Sequence, residues 1–276
     1  EIRLGLPRQP GTVIFGPGHR QHLPSLAARH GKSVLVVTDA RMTTTPEFAE
    51  LVAAFESDGL EVHVFGEVDA ELPRENIQRA VEQFGSANID VVVGLGGGSC
   101  LDMAKMTALV LAQGGDVRDY YGENLVPGPA LPIITVPTTA GTGAEISCIG
   151  VVFDTERGVK VGVGSAYLEP VATVVDPEFT LTAPPGLTAA TGADALSHLI
   201  ESFTDISKNP TLEEMQKHLY VGKNLLTDVY CRYGLQLLNS SLERVVADPS
   251  DLAARSDTML AAYCGGMALN TAGTAA

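Results

Sequence analysis

Strand-like and helix-like segments alternate along the first two-thirds of the chain. Residues 33–38 form an apolar run typical of a buried strand, and residues 44–57 follow with a helical pattern. The same alternation returns at residues 60–84 and again at residues 90–112. Because neighbouring parallel strands need a crossover that is usually helical, the alternation predicts a parallel sheet covered by helices.

The pattern changes near residue 180. Residues 149–153 and 159–163 predict a hairpin beside the parallel sheet, whereas the chain after the Pro-rich linker at residues 181–186 is almost wholly helical in pattern. We therefore expect an α/β fold with two domains, a parallel-sheet domain at residues 1–180 and an all-α domain at residues 181–276.

Charge and cysteine content restrict the partners and the compartment. The net charge is -15, which would repel a nucleic-acid backbone or an anionic membrane, while small polar substrates remain open. The four cysteines are scattered, without a CxxC pair, and we expect them to be reduced thiols. No run approaches the roughly 18 apolar residues of a membrane helix. We therefore expect a cytoplasmic protein that binds neither nucleic acid nor membrane.

A glycine triplet at residues 96–98 joins the apolar run at residues 89–93 to a helical segment, with Ser99 as the expected N-cap. Glycines let the backbone approach a pyrophosphate closely, and the N–H groups that open the helix supply donors. The alternative is a tight turn without a ligand. Asp102 and Lys105 lie one turn along the same helix, where a surface ion pair without function is the alternative interpretation.

Two further segments follow predicted strands. Asp39 comes directly after the first long strand, where α/β nucleotide folds place an acid that hydrogen-bonds the adenosine ribose and favours NAD over NADP. A turn or N-cap aspartate is the alternative. Residues 138–145, with three threonines and two glycines, follow the strand predicted at residues 131–136, at the strand end where open sheets bind ligands.

Asp194 and His198 are four residues apart in a helical segment, so their side chains share one helix face and can converge on a divalent metal ion. An ordinary surface pair is the alternative. Glu201 lies one turn further along the helix. Its side chain either supports the Asp194–His198 pair or is solvated. The other histidines show no ligand spacing: His19, His22, His30, His63 and His218.

Four ordered motifs, GGGSCLDMAK, PTTAGTGAE, VDPEFTLTAPP and GADALSHLIESF, resemble the iron-containing alcohol dehydrogenase family (group III, metal-dependent). The resemblance implies that residues 1–180 form a Rossmann-like dinucleotide-binding domain and that residues 181–276 form part of an all-helical metal and substrate domain. It also implies NAD, with NADP less favoured, a divalent Fe(II) or Zn(II) ion, an alcohol or aldehyde substrate, and a homodimer.

The resemblance assigns a role to each matching residue. Asp39 would meet the ribose, Asp102 would lie near the nicotinamide, and Asp194 and His198 would supply two of four metal ligands. The expected cofactor contacts are Asp39, Gly97, Gly98, Ser99, Asp102, Thr138, Thr139, Thr142, Val151 and Lys160, and no catalytic residue is expected beyond the metal ligands.

The chain departs from the family pattern in three places. The other two ligand histidines would lie beyond Ala276, so we expect a C-terminally truncated chain with an incomplete helical domain. Leu72 replaces an asparagine that many relatives carry near the cofactor, and residues 205–238 are longer than in simple bacterial members.

These observations predict an NAD-dependent, metal-dependent alcohol dehydrogenase or aldehyde reductase. Three alternatives remain open: a metal-independent reductase like maleylacetate reductase, a cyclase like dehydroquinate synthase, and a nucleotide-binding fragment without turnover. Retention of both Asp194 and His198 counts against the first, and the scarcity of basic residues in the C-terminal half counts against the second.

Overall fold

The structure is a computed structural model that describes residues 5–273. These residues form two compact units. The unit that we call the sheet unit contains residues 10–137 and 148–175, and the helical unit contains residues 5–9, 138–147 and 176–273. The division into domains at residue 180 stays a prediction.

The sheet unit holds all the strands and the first four α-helices. The strands are β1 Thr12–Phe15, β2 Ser33–Val37, β3 Glu61–Phe65, β4 Val91–Gly96, β5 Gly122–Glu123, β6 Ile133–Pro137, β7 Ile149–Asp154, β8 Val159–Gly164 and β9 Ala172–Val175. The helices are α1 Leu23–Ala27, α2 Pro46–Ser57, α3 Arg74–Phe84 and α4 Gly98–Gln113.

Six of the strands form one parallel sheet in the order β1-β9-β6-β4-β2-β3. Every residue of β2, β4, β6 and β9 is buried, as expected for a parallel sheet covered on both faces. The predicted α/β fold is thereby confirmed. The chain leaves β2 towards one edge of the sheet and leaves β4 towards the other. The carboxyl ends of β2 and β4 therefore form a topological switch point, where open sheets bind their ligands.

The predicted hairpin is present in a sheet of its own. Strands β7 and β8 pair antiparallel, and the short strand β5 pairs parallel with β8. This second sheet is separate from the six-stranded sheet, and strand β7 packs against helix α4. The hairpin and the helix that follows the glycine loop therefore have to be considered together.

The helical unit contains three long helices and one short one. They are α5 Pro185–Thr204, α6 Leu212–Lys217, α7 Leu225–Ala247 and α8 Leu252–Ala272. Helices α5, α7 and α8 pack on one another, and α8 is the most buried of the three. The helical character predicted for this region is confirmed. Within residues 5–273, no helix is long and apolar enough to cross a membrane.

Candidate functional site: a glycine loop with an adjacent acid, and an Asp–His pair

The glycine loop joins β4 to α4 in a conformation that only glycine adopts easily. Gly96 has a φ of 151°, and a Cβ atom there would lie 2.6 Å from the Cys100 Sγ. Gly97, and not Ser99 as expected, is the N-cap of α4, because Ser99 already lies inside the helix. No side chain caps this end, and the first turn carries no acid. The first N–H groups of a helix have no intrahelical acceptor, so this end offers donors that suit an anionic group.

Asp39 lies beside this loop. Strands β2 and β4 are neighbours, and Asp39 Oδ2 is 3.9 Å from the Cys100 Sγ in the first turn of α4. Asp39 Oδ1 accepts a hydrogen bond from the Met42 N–H at 2.9 Å, so Asp39 does cap a turn. Burial, with a smaller contribution from Asp39, raises the pKa of Cys100 to about 12, so the thiol keeps its proton. The structure thus places the acid and the glycine loop together at the switch point.

Asp102 and Lys105 form a largely buried ion pair, so the alternative interpretation of a surface pair is wrong. Lys105 is fully buried, and its Nζ lies 3.4 Å from Asp102 Oδ1 and 2.6 Å from the Ile149 carbonyl oxygen. Asp102 Oδ2 accepts a hydrogen bond from the Val151 N–H at 3.0 Å. Burial raises the pKa of Asp102, and Lys105 opposes that shift. The pair therefore joins helix α4 to strand β7 of the hairpin.

Val151 and Lys160, the two hairpin residues in the predicted site, are both exposed. The Val151 backbone is held by Asp102, while 40% of the residue remains accessible. Lys160 pairs with Glu71. Leu72 is buried and has a φ of 51°, and its carbonyl oxygen accepts the Phe153 N–H at 2.9 Å. Leucine therefore keeps the backbone contact to the hairpin at this position but offers no polar side chain.

A second set of charged residues holds the hairpin turn, and sequence analysis did not identify it. Asp154 is fully buried and accepts two hydrogen bonds from Arg118, both at 3.1 Å. Arg74, also buried, binds Asp116 at 2.9 Å and Glu156 at 3.0 Å. The hydrogen bonds from Arg118 lower the pKa of Asp154. These residues are far apart in sequence and follow no periodic pattern, so only their packing in the fold identifies them.

The threonine loop belongs to the helical unit. Thr138 is buried, Thr139 is half-buried and Thr142 is exposed. Gly143 has a φ of 67°, and a Cβ atom there would lie 2.5 Å from the Gly266 Cα of helix α8. This close approach holds the loop against α8. Thr139 and Thr142 keep accessible surface, while Thr138 is nearly enclosed.

Asp194 and His198 project from the same face of α5, as predicted. Asp194 Oδ1 lies 3.5 Å from His198 Nε2, and the buried His198 Nδ1 has no hydrogen-bond partner among the described residues. Two ligands at about 2.1 Å from one tetrahedral ion are about 3.4 Å apart, so the observed spacing suits a shared ion. Imidazole and carboxylate suit Fe(II) and Zn(II) equally. The pair thus fits a metal in ligand type and spacing, although residues 5–273 contain no cluster of three possible ligands.

These features agree with one protein family. The sequence profile described as iron-containing alcohol dehydrogenase matches residues 10–177, and the C-terminal profile of that family matches residues 188–276. The chain therefore belongs to the iron-containing alcohol dehydrogenase family.

Individual relatives extend this assignment. The chain is 35% identical over 265 residues to an NAD-dependent methanol dehydrogenase of Bacillus methanolicus, covering 96% of this chain and 66% of the relative. It is 33% identical over 237 residues to a sulfoacetaldehyde reductase of Bilophila wadsworthia, covering 86% of this chain and 57% of the relative. The chain thus spans between half and two-thirds of the length of these two relatives.

Solved structures show the same fold. An alcohol dehydrogenase from Oenococcus oeni matches with a TM-score of 0.88 at 29% identity, covering 98% of this chain and 68% of that one. The sulfoacetaldehyde reductase from Bifidobacterium kashiwanohense, solved in complex with NAD⁺, matches with a TM-score of 0.84 at 28% identity, with coverages of 98% and 68%.

Proposed function

We propose that this chain belongs to an NAD-dependent, metal-dependent alcohol dehydrogenase or aldehyde reductase, which transfers hydride between an alcohol and the nicotinamide. The observation that carries the proposal is the uncapped N-terminus of α4 beside Asp39 at the carboxyl ends of β2 and β4. That arrangement supplies donors for a pyrophosphate and an acceptor for a ribose. Membership of the family, and relatives named as alcohol dehydrogenases, support the same reaction.

In this proposal the dinucleotide contacts are those that the family resemblance assigns. The N–H groups at Gly97, Gly98 and Ser99 bind the pyrophosphate, and Asp39 accepts hydrogen bonds from the adenosine ribose. A carboxylate at that position repels a 2′-phosphate, so NAD is favoured over NADP. The other assigned contacts are Thr138, Thr139, Thr142, Val151 and Lys160, with Asp102 near the nicotinamide.

Asp102 has a second role in the proposal. Because Asp102 and Lys105 hold the β7 backbone at Val151 and Ile149, they fix the hairpin that carries two of the assigned contacts. Strand β7, held in this way, keeps its position when the dinucleotide binds and leaves. Asp102 is therefore a positioning residue for the hairpin as well as a proposed neighbour of the nicotinamide.

Asp194 and His198 would hold a divalent ion, Fe(II) or Zn(II). When bound, such an ion polarises the substrate oxygen and stabilises negative charge on it. The side chains contribute a negative charge from Asp194 and a neutral nitrogen from His198, which requires the imidazole to be unprotonated. The substrate class is a small alcohol or its aldehyde. A homodimer remains a proposal that follows from the resemblance alone, and a cytoplasmic location remains a proposal that follows from the sequence pattern.

Metal content and turnover together test the proposal. Divalent metal bound by the wild-type protein and by Asp194→Ala is measured by mass spectrometry, alongside NADH formation from an alcohol panel. Glu213→Ala, which changes an exposed acid on α6, is the matched control. We expect Asp194→Ala alone to lose metal and turnover. Turnover that resists a chelator would instead indicate a metal-independent reductase, and NAD binding without any turnover would indicate a nucleotide-binding fragment.

A further inference from the structure

Arg255 of helix α8 is a buried cation that has no buried anion to balance it within the part of the chain that the structure describes. Only 3% of the residue is exposed. Its Nε donates to the Pro249 carbonyl oxygen at 2.9 Å, its Nη1 to the Thr188 Oγ1 at 2.9 Å, and its Nη2 to the Ala183 carbonyl oxygen at 3.2 Å. All three acceptors are neutral. Among residues 5–273, no carboxylate pairs with this guanidinium, which has five N–H donors and therefore two to spare.

The environment of Arg255 is unusual for a protein of this charge. The chain carries a net charge of -15, and another arginine of the helical unit, Arg244, pairs with Asp251 at 2.7 Å. Burial lowers the pKa of Arg255, and no acid among the described residues opposes that shift. An isolated buried charge is costly unless a counter-charge accompanies it. The neutral hydrogen bonds lower this cost without removing the net charge.

A small cavity lies against Arg255. Its volume is about 10 Å³, which is room for one occupant about the size of a water molecule. Residues from the threonine loop, from the first turns of α5, and from α7 and α8 line it, including Thr139, Leu187, Thr188 and Arg255. The cavity is too small for a phosphate or a carboxylate ligand.

The other lining groups are hydrogen-bond donors. The Thr139 hydroxyl makes no hydrogen bond within the described part of the chain, so its proton is available. The Thr188 hydroxyl accepts from Arg255, which leaves its own proton free to point elsewhere. Leu187 and Thr188 lie in the opening turns of α5, a 20-residue helix whose N-terminus has no side-chain cap and no acid. The positive end of the helix dipole therefore faces the same region.

We propose that this cavity is a binding site for a single monatomic anion, chloride in the cell. The guanidinium supplies the charge, Thr139 and Thr188 supply hydroxyl donors, and the α5 N-terminus adds positive potential. The size of the cavity selects a halide over polyatomic anions. Because the lining residues come from the threonine loop, α5 and α8, the bound anion would stabilise these three elements against one another.

Bromide scattering tests the site in the unmodified protein. Crystals grown or soaked in sodium bromide are measured at the bromine absorption edge. We expect an anomalous peak inside the cavity, within hydrogen-bonding distance of the Arg255 guanidinium and the Thr188 hydroxyl. Density for a water molecule without an anomalous signal would overturn the proposal, and so would a peak that lies only on the surface.

Unfolding in solution gives a second test that uses variants. Urea unfolding is compared in sodium chloride and in sodium gluconate at equal ionic strength, because gluconate is too large for the cavity. Chloride at thirty times its dissociation constant lowers the unfolding equilibrium constant about 30-fold. We expect this dependence in the wild-type protein and in Arg244→Gln, an exposed-arginine control, but not in Arg255→Gln.

A second variant keeps the unfolding experiment decisive if the first does not fold. If Arg255→Gln does not fold, Thr188→Val removes one donor while retaining the cation, and it should weaken the chloride dependence. Equal stability of the wild-type protein in chloride and gluconate would contradict the proposal. A chloride effect that persists unchanged in a folded Arg255→Gln variant would contradict it as well.

Discussion

The Cys100 Sγ lies 3.9 Å from Asp39 Oδ2, so the acid that follows β2 contacts the first turn of the helix that follows β4. This contact relates two motifs that are 61 residues apart in the chain. The two strands are neighbours, and the chain leaves them in opposite directions. The relationship explains why one dinucleotide can engage both motifs in the proposed function.

Replacing the acid tests the proposed preference for NAD. Asp39→Asn retains an acceptor for the Met42 N–H but loses the negative charge. Because a hydrogen bond to a charged group contributes about 1.5–3 kcal/mol, we expect NAD to bind about 10- to 100-fold more weakly. NADP should lose less, since the repulsion of its 2′-phosphate is relieved. Titration calorimetry with both dinucleotides measures the ratio, and Asp58→Asn, at an exposed turn, should leave it unchanged.

Substitution of Gly96 tests the conformation of the loop. Gly96→Ala places a methyl group against the Cys100 thiol at a φ that L-residues rarely adopt. We expect a loss of about 1–3 kcal/mol in the free energy of unfolding, measured by urea denaturation. Gly186→Ala is the matched control, because its Cβ meets nothing within 4 Å. Equal stabilities of the two variants would show that the loop at Gly96 is not strained in this way.

The buried ion pair predicts a large effect of Lys105. Lys105→Met keeps most of the side-chain volume but leaves Asp102 buried without its cation. We expect a loss of about 3–5 kcal/mol in the free energy of unfolding. Because burial already raises the pKa of Asp102, that loss should shrink as the pH falls and Asp102 takes up a proton. Lys32→Met, at an exposed position, provides the control.

Asp154 is expected to stabilise the folded protein at neutral pH and to lose this effect in acid, the opposite of the pH dependence expected for Asp102. Its pKa is lowered in the folded protein by Arg118, so its stabilisation is present above the ordinary aspartate pKa of about 3.9. That stabilisation is lost as the pH falls towards the folded-state value. We expect Asp154→Asn to be less stable than the wild type at neutral pH and to lose less stability on acidification. Parallel stability curves from pH 6 to pH 3 for the two proteins would contradict this assignment.

The sequence predicted the features that depend on local pattern. The strands β2, β4 and β6 are continuous apolar runs, and the segments of α5 and α8 are helical in pattern, so the sequence predicted these strands and helices. Strand β1 was missed because it is a short, half-buried edge strand whose assignment depends on pairing with β9. Element types follow from local spacing, whereas edge strands follow from tertiary pairing.

The site divides in the same way. The glycine loop, Asp39 and the Asp194–His198 pair follow from motif and spacing. The structure brings Asp39 close to the first turn of α4 and Asp194 close to His198, while the binding roles of these residues stay predictions. The burial of Lys105 could not be predicted, because a three-residue spacing from Asp102 also describes a solvent-exposed pair. Strand β7, which lies 44 residues away in sequence, supplies the Ile149 carbonyl oxygen that accepts a hydrogen bond from the Lys105 ammonium group.

The most direct test of the central claim is titration calorimetry of the unmodified protein with NAD and with NADP under identical conditions. The account predicts saturable binding of NAD at one site per chain, and tighter binding of NAD than of NADP. Absence of saturable NAD binding, or tighter binding of NADP, would contradict it.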